Sequence, residues 1–163
     1  MATAGPPEMM TGGCQCGRIR YAVRIDSDDA YLCHCRMCQR ATGGVSIAFK
    51  GVAIADLTWT TQAPDRYRSS PIAQRGFCRE CGTPLTFEFV SPDETMDVTV
   101  GSFDHPDRFV PRHHFATESL HEAWIDTHTL PRIRSEDNPS TSNRWMDAVV
   151  KLPDRPTRTA IFR

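Results

Sequence analysis

The chain has 163 residues, 39% of them hydrophobic and 24% charged, and 19 basic against 20 acidic side chains leave a formal charge of −1. That length suits one soluble domain with a sizeable core and excludes a disordered tail for most of the chain. The charge balance lacks the basic surplus that broad nucleic-acid binding needs, so no nucleic-acid partner is expected. No apolar run reaches the 18 residues of a membrane helix, and the N-terminal MATAGPPEMMTGG has neither a basic nor an apolar leader region. A cytoplasmic protein with no membrane partner is expected.

In chain order, residues 1–10 read as a flexible lead-in, followed by the tight cluster Cys14-Gln15-Cys16. Arg18 to Ile25 then alternates with period two, placing Ile19, Tyr21, Val23 and Ile25 on one face and Arg18, Arg20 and Arg24 on the other, the pattern of a half-buried strand. Asp26-Ser27-Asp28-Asp29 supplies turn chemistry before the second cluster, Cys33-His34-Cys35-Arg36-Met37-Cys38. A short helix is expected to begin near Cys35, where Arg36 to Thr42 lacks strand alternation. Further strands are predicted at Val45 to Phe49, at Leu85 to Phe89 and from Asp97 to Ser102 with Val98 and Val100 inward. Breaks fall at Gly43-Gly44, Gln62-Ala63-Pro64-Asp65 and Ser91-Pro92-Asp93. The third cluster, Cys78-Arg79-Glu80-Cys81, precedes the Leu85 strand. Residues 135–163 read as a loosely packed tail, with one amphipathic turn at Arg144 to Leu152. The fold class expected is mainly β: small antiparallel sheets pinned by metal, with short helical pieces at most.

The seven cysteines carry the chemistry. A disulfide framework would bring an even number and an export signal, whereas thiolates on one- and two-residue spacers suit a soft tetrahedral ion, zinc first. Phe77 to Leu85 has the form of a zinc knuckle followed by a strand, with Gly82 free to take a positive φ just after the second sulfur. A knuckle supplies two ligands. Cys14 and Cys16 can supply the other two of a closed structural site, which leaves Cys33, Cys35 and Cys38 as an open, three-ligand site. The alternative is that all seven are structural, with His34 or a distant histidine completing the second tetrahedron, or that the triad is simply reduced thiols.

The clusters Cys14-x-Cys16, Cys33-His34-Cys35-x-x-Cys38 and Cys78-x-x-Cys81-Gly82 resemble the glutathione-dependent formaldehyde-activating family, also called the CENP-V/GFA domain. Gly12 to Gly17, Cys38 to Gly43, Tyr67 to Ser70, Asp97 to Asp104, His114 and Trp124 extend the likeness over residues 11–134. The resemblance implies a Mss4-like (β-tent) fold. It also implies two zinc ions per chain, one at Cys14, Cys16, Cys78 and Cys81 and a second at Cys33, Cys35 and Cys38. The activity implied is carbon–sulfur lyase chemistry, the joining of formaldehyde and glutathione to S-(hydroxymethyl)glutathione or its reverse. The chain departs from the family where His113-His114-Phe115 stands in place of a His-(Ile/Val)-Trp motif, and around His121 and Glu122, which bears on the substrate pocket.

The expected function is therefore a zinc-dependent enzyme in which the open site makes a small thiol, glutathione or another, into a thiolate nucleophile toward an aldehyde. His34 and His114, with His113 and His121 behind them, are candidates for proton transfer. Arg66 and Arg68, and with them Arg75, are candidate contacts for ligand carboxylates, although all three also suit the solvated face of a strand. Trp59 and Trp124 are expected in the core. The competing classes are a non-catalytic zinc module that presents a surface to a partner and a thiol redox sensor that releases zinc on oxidation.

Overall fold

The structure is a computed structural model that describes residues 4–90 and 93–126 and, beyond these, positions 128, 130, 131, 133, 134, 137–139 and 143. The chain divides into two compact units, Met1–Leu120 and His121–Arg163. In the second, the described backbone includes the 3-10 turn Glu122–Trp124. The turn expected at Arg144 to Leu152, and nearly all of 135–163, lies outside the described residues.

The first unit holds ten strands in two sheets and one short helix among its described residues. Strands β1 (Ala4–Gly13), β2 (Arg20–Ser27) and β5 (Leu57–Trp59) form the smaller, antiparallel sheet in the order β1-β2-β5. The larger sheet contains β3 (Asp29–Cys33), β4 (Ile47–Ala53), β6 (Asp65–Ser70), β7 (Ala73–Phe77), β8 (Pro84–Phe89), β9 (Thr95–Thr99) and β10 (Val110–Phe115). Its order is β10-β3-β4-β9-β8-β7-β6. All pairs are antiparallel except β10 on β3, which run parallel. The fold is mainly β, as expected, with that one parallel edge as the departure.

The inward face of β2 is the one its period-two pattern predicts: Tyr21, Val23 and Ile25 are buried, as is Ile19 just before the strand. Leu85 and Val98 meet them from β8 and β9 in one core cluster. Each such aliphatic side chain contributes roughly 1.5–3 kcal/mol by leaving water. Tyr21 stands edge-on to Trp59 and Phe103 at 5.8 and 5.5 Å, and its hydroxyl meets Ser102 Oγ at 2.8 Å. The outward arginines of the same segment find carboxylates, Arg18 on Asp65, Arg20 on Asp104 and Arg24 on Asp56.

Several expectations need correcting. Residues 4–10 are part of β1, and Glu8, Met9 and Met10 pair with β2, so the boundary placed at residue 11 falls inside a strand. The strand predicted at Val45 to Phe49 begins at Ile47 and runs on to Ala53. Alternation fails at the end of β8, where Phe89, the strand's last residue, is exposed. Trp124, expected in the core, is 65% exposed. The short helix expected to begin near Cys35 forms as α1, Arg36–Thr42.

Candidate metal centres

Two cysteine groups could each hold a metal ion: Cys14, Cys16, Cys78 and Cys81, and separately Cys33, Cys35 and Cys38, the sulfurs of each lying within 4.8 Å of one another. Among the described residues no histidine nitrogen or carboxylate joins either set.

The four-cysteine group is built by two turns of similar design. Cys14 and Cys16 occupy the turn after β1, where the Gly17 N–H donates to the Cys14 carbonyl at 3.0 Å. Cys78 and Cys81 occupy the turn between β7 and β8, where the Gly82 N–H donates to the Cys78 carbonyl at 2.8 Å. Gly17 and Gly82 have φ of 75° and 74°, the left-handed conformation that closes each turn and that residues with a Cβ rarely adopt. The Ile19 N–H donates to Cys14 Sγ at 3.2 Å. Cys14 Sγ to Cys16 Sγ is 3.5 Å and Cys16 Sγ to Cys78 Sγ is 3.7 Å. A tetrahedral ion with metal–sulfur bonds of about 2.3 Å has sulfur–sulfur edges of about 3.8 Å, so this donor set fits zinc in both chemistry and spacing. Burial pushes the Cys16 thiol up to about 12 and raises Cys14 as well. Burial also acts upward on Cys81, but hydrogen bonds with Thr83 outweigh it and bring that thiol down to about 6.

The three-cysteine group sits where β3 hands over to α1. Cys33 ends β3, and Cys35 caps α1, its sulfur accepting from the Cys38 N–H at 3.3 Å. Cys33 and Cys38 are buried, with Phe49, Ile47, Phe87 and Tyr31 around them in a second, smaller hydrophobic cluster. The hydrogen bond from Cys33 is the main cause that brings the Cys38 thiol down to about 5, with Arg75 acting in the same sense, while Cys33 is pushed up in turn.

The side chain missed by the strand-face reading of the arginines is Arg75 on β7. It is 5% exposed, its Nη2 donates to Cys38 Sγ at 3.2 Å, and its guanidinium lies 5.1 Å from the centre of the Phe87 ring. No local pattern marked it: Ala73 and Arg75 share one face of β7, but packing, not sequence, turns that face inward. Gln39 is a second such residue. Buried on α1, its Nε2 lies within 3.1 Å of the carbonyls of His34, Val45 and Ser119 and ties the helix to three loops.

The histidine candidates separate. His34, buried between Cys33 and Cys35, meets His114 of β10 with Nε2 to Nδ1 at 2.9 Å. His113 instead stacks on Tyr31, 5.3 Å between centroids. His121 belongs to the second unit. Arg66 pairs with Glu88 at 3.3 Å and Arg68 is exposed on the edge strand β6. Neither lines the cavity of about 110 Å³ bounded by Ile47, Phe49, Tyr67, Arg75, Gly82 and Pro84 among others; none of its lining residues is a cysteine, and Ile47, Phe49 and Arg75 connect it to the three-cysteine group. Tyr67, between the two arginines, faces the cavity instead.

Residues 9–119 match the family model described as "Glutathione-dependent formaldehyde-activating enzyme". The chain belongs to that family. The match spans both cysteine groups and the strands of the first unit, β1 from Met9 onward. A curated relative, an uncharacterized lyase of Schizosaccharomyces pombe, is 29% identical over 80 residues, 49% of this chain and 58% of the relative. The chain thus matches a little over half the length of that relative. A solved protein of Rhodobacter sphaeroides shares the fold with a TM-score of 0.54 at 24% identity, covering 65% of this chain and all of that one. Among the described residues no helix is long and apolar enough to cross a membrane.

Proposed function

We propose that this family member is a zinc-dependent enzyme of the carbon–sulfur lyase type, in which the three-cysteine group activates a small thiol, such as glutathione, for addition to or release from an aldehyde. The observation that carries this reading is the inequality of the two groups. Four sulfurs complete a tetrahedron, whereas three sulfurs connected to a cavity through Ile47, Phe49 and Arg75 leave one position for a ligand. A zinc ion held by Cys33, Cys35 and Cys38 would supply thiol activation, favouring the deprotonated sulfur of an incoming ligand.

The chain's own residues do the rest. Ile47, Phe49 and Phe87 keep water from the sulfurs, which strengthens every charge interaction there. The cavity is smaller than the roughly 300–1,000 Å³ of sites that enclose whole drug-sized ligands, so it admits the thiol end of a ligand and a one- or two-carbon aldehyde while the bulk of a tripeptide stays outside. Addition joins the thiol sulfur to the carbonyl carbon, and the carbonyl oxygen takes up the proton that the thiol gave away. The hydrogen-bonded imidazoles of His34 and His114 offer a route for that proton next to the sulfurs. Unoxidised cysteines and a thiol substrate both fit the reducing cytoplasm.

The test is the exchange rate between free formaldehyde and S-(hydroxymethyl)glutathione, read by NMR magnetisation transfer with and without the zinc-loaded full chain. Catalysed exchange that Cys35→Ser abolishes supports the reading. Exchange at the uncatalysed rate for glutathione and for small thiols alike overturns it.

A further inference from the structure

Arg75 presents an electrostatic question that the thiol-activation reading leaves open. A guanidinium is charged at every accessible pH, and burying one without an anionic partner is costly. Among the described residues no carboxylate pairs with Arg75. Its neighbours are Cys38 Sγ at 3.2 Å and the face of Phe87. The partner charge must therefore come from the cysteines. A divalent ion with three thiolates carries one net negative charge, and Arg75 cancels it. Arg75 also has a donor to spare, since its Nε is buried without a partner, and it lines the 110 Å³ cavity.

We propose that Arg75 is the counter-ion of the three-cysteine centre: its buried guanidinium balances the surplus charge of three thiolates around a divalent ion, and so lets one further anionic ligand enter from the cavity it lines. Without Arg75, a fourth anionic sulfur would join a buried centre that is already negative. With it, the centre is neutral before the ligand arrives, and the unpartnered Nε–H is a donor available to that ligand. Arg75 is in this sense a positioning residue, acting through Cys38 and the ligand rather than on reacting atoms. The inference rests on the three-cysteine group holding a metal, and its second half on that metal taking a thiol.

The experiment loads the full chain with Co(II), whose sulfur charge-transfer absorption reports thiolate coordination. It compares the parent with Arg75→Lys and Arg75→Met by chelator competition and by titration with 2-mercaptoethanol, which is small enough for the cavity. The four-cysteine centre, whose sulfurs make no hydrogen bond with Arg75 among the described contacts, serves in each protein as the internal control for folding. Partners of metal ligands typically matter by about 10–100-fold in affinity. Arg75→Met is expected to weaken Co(II) at the second centre by at least tenfold, and to weaken thiol binding at whatever second-centre metal remains. Arg75→Lys, which keeps the charge, should recover most of both. If Arg75→Met holds its second Co(II) and binds the thiol within twofold of the parent, the proposal is overturned. Equal loss in the Lys and Met variants would also overturn it, by showing that shape rather than charge is needed. If the parent takes two Co(II) ions but its spectrum ignores the thiol, the thiol-activation reading and the ligand half of this proposal fall together, and chelator competition decides the counter-ion half.

Discussion

The division of the cysteines into a fold-holding four and a ligand-binding three predicts unequal consequences for losing each group. A metal held by the first group would tie Cys16 to Cys78, 62 residues apart in sequence and both in the main core. Treating that tie as a cross-link, the chain-entropy relation gives about 4 kcal/mol for a loop of this length. The second group closes only the short Cys33–Cys38 loop, for which the same relation gives about 2 kcal/mol. The variants that isolate these terms are Cys78→Ala with Cys81→Ala, which removes the knuckle pair, and Cys35→Ser, whose hydroxyl can still cap α1. At about 3 °C per kcal/mol for a chain of this size, the first should lower Tm by about 12 °C or more and the second by about 6 °C or less. Thermal melts followed by circular dichroism, with bound metal counted on the same samples, provide the assay. Equal Tm losses, or a larger loss for Cys35→Ser, would refute the division.

Three further outcomes follow from individual contacts. Burial raises the pKa of Asp97, whose Oδ2 accepts from the Tyr31 hydroxyl at 2.8 Å. Ionising it therefore opposes folding, and the associated stability is present below its ordinary value of about 3.8 and lost as pH rises through the raised one. Asp97→Asn, which keeps an acceptor for Tyr31, should melt higher than the parent at pH 7, with the advantage vanishing near pH 4; an unchanged or lower Tm at pH 7 would contradict this. Asp65 behaves oppositely, because Arg79, helped by Arg18, holds its carboxyl well below the usual range. Its contribution is present above about pH 4 and fades as pH falls toward the depressed value, so the Tm gap between the parent and Asp65→Asn should shrink in melts taken from pH 5 down to pH 2. Tyr21→Phe removes one buried hydrogen bond to Ser102, which itself donates to the Thr99 carbonyl at 2.8 Å, and should cost about 1 kcal/mol in urea unfolding. A cost above about 3 kcal/mol would mean that Tyr21 does more than the contact shows.

The sequence disclosed those features that rest on local chemistry. The alternation of Ile19, Tyr21, Val23 and Ile25, the helix at Arg36 to Thr42 and the knuckle around Gly82 depend on neighbours a few residues away, and all three are found in the structure. The grouping of cysteines 62 residues apart was also legible, because tetrahedral metal chemistry limits how seven thiols can be shared. Features set by tertiary position were not. Arginine on a strand reads as a surface residue, and only the placement of β7 against α1 and β8 puts Arg75 under Cys38 and over Phe87. Arg66 and Arg68 read the same way and do lie exposed on the outer strand β6, Arg66 paired with Glu88. The pairing of His34 with His114 depends on β10 docking in parallel on β3, a long-range event that no local pattern announces.

That parallel edge sets an order of events as the chain leaves the ribosome. Cys33, Cys35 and Cys38 all emerge early, yet what encloses them arrives piecemeal: Phe49 with β4, Arg75 with β7, Phe87 with β8, and last β10, whose Phe115 carbonyl accepts the His34 N–H at 2.9 Å. The four-cysteine group is complete once Cys81 has emerged, when Phe49 and Arg75 are already out but Phe87 and β10, and with them Leu85 to Phe109 of the main core, are still to come. For some thirty further residues the three thiols of the nascent protein are therefore only partly enclosed. In that interval they must compete with oxidants and stray soft metals before the chain's own last strand closes the door.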